Sequence, residues 1–125
     1  MPFTTPIVLQ APTDESGTLN WKTVEPLNYD SVRYGKHFVV PKDFETDLAS
    51  VPHDFLAWFV AGGRGNAAAI IHDFQYSQPK LRQAKSREEA DYVFYEAMID
   101  TGVSAWRAWL MYRAVRALGW QFYVE

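Results

Sequence analysis

The sequence predicts an α+β fold: a small N-terminal antiparallel sheet of about three strands, followed by a bundle of about four helices. Three observations predict it. Pro2, Pro6, Pro12, Pro26, Pro41 and Pro52 punctuate the first part of the chain, and proline suits strand ends and turns rather than helix interiors. Beyond Pro52 the pattern changes to apolar runs that open on capping residues, Asn66, Ser86 and Ser104. Finally, 125 residues with 48% hydrophobic and 16% aromatic content suffice for one self-standing core. The expectation is therefore a single domain over 1–125, with strands and turns in 1–52 and helices in 53–120.

In chain order, Thr13-Asp14-Glu15-Ser16-Gly17 is a polar loop. Trp21 to Glu25 places its odd positions toward a core. Tyr34 to Val40 has the β-branched and aromatic content of a strand and stops at Pro41. Pro52 opens a short helix reaching Val60. Ala61-Gly62-Gly63-Arg64-Gly65 breaks it. Asn66 caps a helix from Ala67 to Tyr76, and Pro79 follows its end. Ser86-Arg87-Glu88-Glu89 reads as a capping box for a helix running to about Asp100. Its Glu88 and Glu89 suit the positive end of the helix dipole. Ser104 opens a last helix over Ala105 to Leu118, closed by Gly119.

Composition excludes several functions. The chain has no cysteine, so disulfide scaffolds, thiolate metal sites and cysteine nucleophiles are out. With 12 Lys and Arg against 15 Asp and Glu, a net charge of −3, it lacks the basic balance of a dedicated nucleic-acid binder. No secretory signal is visible at Met1 to Pro6. Arg107, Arg113 and Arg116 interrupt the longest apolar stretch, so no transmembrane segment is expected. Synthesis in the cytoplasm follows. No Gly-x-Ser-x-Gly elbow, Walker loop or dinucleotide fingerprint occurs.

The chemistry gathers on two helices. His72 and Asp73 stand inside the apolar run Ala67 to Tyr76. Adjacent helical residues point about 100° apart, so the two cannot both face solvent if Ile71 and Phe74 flank a core. Tyr76, four residues after His72, lies beside both. On the next helix, Asp91 sits at the edge of the stripe made by Ala90, Phe94, Ala97 and Met98. A carboxylate there needs a partner, and His72 is the natural one. A carboxylate on one ring nitrogen fixes the tautomer and leaves the other nitrogen as a general base. Asp73, with Asp47 from the junction of sheet and helix, could then hold a hard divalent cation. His37 and His53 are assigned to surface or packing roles. Trp106 and Trp109 share one side of the last helix and Trp120 follows it, as core packing or as a docking surface.

Several blocks in order carry a family resemblance: Phe44-x-Thr46-Asp47-Leu48-Ala49-Ser50-Val51-Pro52, Ala69-x-x-His72-Asp73-Phe74-x-Tyr76, Ser86-Arg87-x-x-Ala90-Asp91-x-x-Phe94-x-x-Ala97-Met98, Gly102-Val103, and Met111-Tyr112-x-Ala114-Val115 followed by Gly119. Over residues 30 to 120 the chain resembles the phage and prophage family catalogued as domain of unknown function 1353. The resemblance implies a bacteriophage or prophage context and no assigned activity. At motif level, His72-Asp73-x-x-Tyr76 followed by Asp91 and Phe94 is similar to the secreted phospholipase A2 site. That likeness implies His72 as base, Asp73 on calcium, Asp91 orienting His72 and Tyr76 supporting Asp91. The disulfides and glycine-rich calcium loop of those enzymes are absent here.

Three functions are thus expected. The first is a small metal-assisted phage hydrolase acting on an ester or amide of a lipid or cell-wall substrate, with His72, Asp91 and Tyr76 catalytic and Asp73 and Asp47 on the metal. The second is a virion structural or accessory protein of tail or capsid, whose partners are other virion proteins or itself and whose polar cluster locks helices together. The third is an inhibitor of a host protein.

Overall fold

The computed structural model describes residues 9–10, 21–46 and 65–125. Asp47, the expected short helix at 52–60 with His53, and the glycine-rich break as far as Arg64 lie outside the described residues. Within them the fold is α+β, as expected. Five short strands come first: β1 (Leu9–Gln10), β2 (Trp21–Thr23), β3 (Leu27–Ser31), β4 (Lys36–Val40) and β5 (Glu45–Thr46). Three helices follow: α1 (Asn66–Ser77), α2 (Arg87–Asp100) and α3 (Ala105–Leu118), with a closing 3-10 turn at Gly119–Phe122. No helix among the described residues is long and apolar enough to cross a membrane.

The strands form two antiparallel sheets instead of the single one expected. In the first, β2 lies between β1 and β5, with Leu9 opposite Thr23 and Trp21 opposite Thr46. Thr23 fastens it: its hydroxyl donates to the Pro41 carbonyl at 2.8 Å and accepts from the Phe44 amide at 3.0 Å. The second sheet is the hairpin β3–β4, in register from Leu27 opposite Val40 to Ser31 opposite Lys36. Tyr34 and Gly35, expected in the strand, belong to its turn. Leu27, Tyr29 and Ser31 are buried while Asp30 faces out, the period-2 alternation of a strand with one covered face.

The helices pack on one another and on both sheets. Leu27, Tyr29, Phe38 and Val40 of the hairpin meet Ile70, Ile71 and Phe74 of α1, Val93 and Phe94 of α2, and Met111 and Val115 of α3 in one buried cluster. Residues Ala67 to Tyr76 of α1 are all buried, the condition of a helix surrounded on every side. Its start differs from expectation. Asn66 is the first helical residue, and Gly65 precedes it at φ 83°, a left-handed conformation that glycine adopts without steric cost.

Helix α2 begins as predicted, with the Ser86 hydroxyl accepting from the Glu89 amide at 3.1 Å. The return half of the capping box is diverted. Glu89 is buried rather than an ordinary first-turn acid, and its carboxylate takes the Lys36 ammonium at 2.6 Å and the Lys85 amide at 3.0 Å. Glu96 lies seven residues further along and Asp100 four beyond it, so the three acids share one face. Glu96 accepts from the Ser31 hydroxyl and Asp100 from the Tyr29 hydroxyl, each at 2.6 Å. This face of α2 holds the hairpin and leaves Asp91 to look elsewhere.

Gly119 ends α3 as expected, with ordinary right-handed geometry. Its role is proximity: a Cβ there would lie 2.8 Å from the Tyr76 hydroxyl oxygen.

Candidate functional site

Four side chains near the end of α1, His72, Asp73, Gln75 and Tyr76, reach different neighbours. His72 and Tyr76 turn to α2, Asp73 turns to the first sheet, and Gln75 turns to the connection that follows the helix. The spacing explains it, since successive residues of a helix point about 100° apart. His72 Nε2 lies 2.7 Å from Asp91 Oδ1. Tyr76 donates its hydroxyl proton to the same oxygen at 2.5 Å. The expected meeting of His72, Tyr76 and Asp91 across two helices is thus present. The imidazole ring is held between aromatics, 4.2 Å from the Tyr76 centroid and 4.6 Å from that of Phe94.

The environment is more enclosed than the edge of an apolar stripe expected for Asp91. His72 and Asp91 are both 0% exposed. On its other oxygen Asp91 takes the Arg116 guanidinium at 2.8 Å and that of Arg87 at 3.5 Å. Arg87 extends the network. One of its nitrogens also reaches the Tyr76 hydroxyl at 3.2 Å and the Val115 carbonyl at 3.1 Å, and the other reaches the Arg116 carbonyl at 3.2 Å. Both carbonyls lie in the last turn of α3, so Arg87 caps that helix while bracing Asp91. One carboxylate on α2 thereby joins α1 and α3.

Electrostatics follow from that placement. Burial alone would raise the Asp91 pKa. The hydrogen bonds from His72, Tyr76 and Arg116 overcome burial and hold the carboxyl below the usual range. Burial and the adjacent Asp91 charge push the Tyr76 phenol well above its ordinary value, so it acts as a neutral donor.

Asp73, the expected metal ligand, is buried and accepts a short hydrogen bond from the Thr46 hydroxyl of β5. Its intended companion Asp47 lies outside the described residues. Among the described residues no group of three or more His, Asp or Glu side chains is placed to hold a metal ion. His37, expected in a surface or packing role, is exposed and pairs with Asp30 at 2.5 Å and Asn28 at 3.0 Å.

An open cleft of about 600 Å³ lies nearby, lined by Pro79, Arg82, Ser86, Arg87, Trp120, Tyr123 and Glu125. None of His72, Asp73 or Asp91 lines it. Arg87 and Tyr123 stand between this cleft and the network, since Tyr123 packs edge-on against Tyr76 at 5.2 Å.

Sequence reasoning missed Arg87, Arg116 and Gln75. Arg87 was within reach of it, standing four residues before Asp91 on one helix. Arg116 lies 25 residues beyond Asp91, and no spacing rule connects them.

Residues 21–115 match a family model described as a protein of unknown function, DUF1353. No curated protein and no solved structure matches the chain.

Proposed function

The chain belongs to the DUF1353 family, and from that premise we propose that it is a structural or accessory protein of a bacteriophage or prophage particle, made in the host cytoplasm and carried into the virion. In this role it works by binding, with no turnover. The observation that carries the reading is the complete burial of His72 and Asp91. A general base must come within hydrogen-bond reach of the proton it abstracts. Here both groups are enclosed, and two guanidiniums occupy the far oxygen of Asp91. That arrangement supports a lock between three helices. The phage setting rests on the ordered motif blocks from Thr46 to Gly119, and partners would be other virion proteins or a second copy.

One observation favours a second reading, the metal-assisted hydrolase. The bond between His72 and Asp91 supported by Tyr76 has the connectivity of the phospholipase A2 site. In that reading His72 activates water, and Asp73 with Asp47 holds calcium.

His72→Ala separates the two. The lock predicts a marked fall in melting temperature, because a buried carboxylate loses a partner at about 1–3 kcal/mol. It also predicts no hydrolysis of phospholipid or peptidoglycan by the parent protein, with or without calcium. Hydrolysis that disappears in His72→Ala while the melting temperature holds would establish the enzyme instead.

A further inference from the structure

We infer that the outward face of α3 docks on an anionic lipid surface. This goes beyond the structural role proposed above and does not depend on it. The inner face of α3 is narrow, with only Ala108, Met111 and Val115 buried. On the opposite side Trp106, Trp109 and Leu110 are 59%, 47% and 48% exposed. Their spacing, i, i+3 and i+4, puts them in one stripe. Of the two readings the sequence offered for these tryptophans, their exposure speaks against core packing.

Charge identifies the occupant. Residues 101–124 contain no Lys, Asp or Glu and three arginines, of which Arg116 is held by the buried Asp91 while Arg107 and Arg113 are exposed. The other nine Lys and Arg stand against all 15 Asp and Glu, leaving −6 outside this segment. An anionic surface attracts the α3 side and repels the remainder, which orients the approach. The Arg113 guanidinium lies 5.9 Å from the Trp109 ring and that of Arg107 lies 5.1 Å from the Trp106 ring. Indole and guanidinium side by side suit the boundary between acyl chains and phosphates, where the ring settles among apolar groups and the cation meets the headgroup. Two copies stacked face to face on this stripe would instead oppose arginines, with no acid in the segment to meet them.

The test uses the intact protein with vesicles of mixed phosphatidylglycerol and phosphatidylcholine, and with phosphatidylcholine alone. Co-sedimentation with the anionic vesicles is expected, with a blue shift of tryptophan emission and release at high salt. Arg113→Glu should weaken binding about tenfold or more, and Leu110→Ser should also weaken it. Circular dichroism confirms that both variants, altered at exposed positions, remain folded. The inference fails if anionic vesicles are not bound, if neutral vesicles bind equally, or if both variants bind like the parent. A dimer that Leu110→Ser dissolves, in place of vesicle binding, would assign the face to a second copy, and retention by an acidic protein alone would assign it to a protein partner.

Discussion

Asp91 is the residue on which the helices depend. Four side chains from three helices address one buried carboxylate, and each would be left with an unmet charge or donor if it were removed. Asp91→Ala should therefore cost about 3–5 kcal/mol, the scale for breaking a buried ion pair from one side. The pH dependence has a definite sign. Because the folded pKa lies below the ordinary 3.8, the carboxylate's contribution is fully present above that value. It is lost as pH falls through the folded pKa. Asp91→Asn should flatten the acid limb of a stability profile taken by urea unfolding below about pH 4, while lowering stability at neutral pH. An unchanged acid limb would show that other carboxyls govern it.

At the scale of elements, sequence patterns resolved the helices better than the strands. The boundaries of α2 and α3 followed from Ser86, Ser104 and the apolar spacing between them, which are local signals. Strands β1 and β5 have two residues each and exist because β2 lies between them, so propensity had nothing to act on. Strand β3 was legible in the alternation of Leu27, Tyr29 and Ser31 but overlooked between Pro26 and the turn. Half the site was legible too. The meeting of His72 and Asp91 could be inferred because a polar residue inside each apolar pattern needs a partner. Its enclosure could not, because Arg116 and Tyr123 arrive from elements distant in sequence. Gln75 makes the same point. It is buried, and its carbonyl accepts from the Gln83 amide at 2.8 Å and the Ala84 amide at 2.9 Å. It thereby shapes the connection that delivers α2 to α1. Gln75→Leu keeps the volume and strands both donors, so a loss of about 2–6 kcal/mol is expected at 1–3 kcal/mol per stranded donor. Hydrogen exchange at Gln83 and Ala84 should accelerate, and slow exchange at both would show that the connection holds itself.

For the whole molecule, the end of the described chain returns to the network and closes it. The Val124 amide donates to the Tyr76 carbonyl at 2.9 Å, and the Arg82 guanidinium bonds both the Tyr76 and Val124 carbonyls. Tyr123 fits between, with Arg82 4.2 Å from its ring centroid. The tail thus covers Tyr76, which covers His72, and the order of layers runs from cleft to core. Removing the outer ring should loosen the inner groups without touching them. Tyr123→Ala discards most of one aromatic side chain, worth about 1.5–3 kcal/mol when fully buried and less for this partly covered ring. The expected result is a lower melting temperature with a single transition retained, because Asp91 still joins the helices. Hydrogen exchange followed by NMR offers the sharper reading. With the cover gone, the His72 ring protons should begin to exchange and respond to solvent. If stability falls but His72 stays shielded, Arg87 alone seals the network, and the tail serves the cleft.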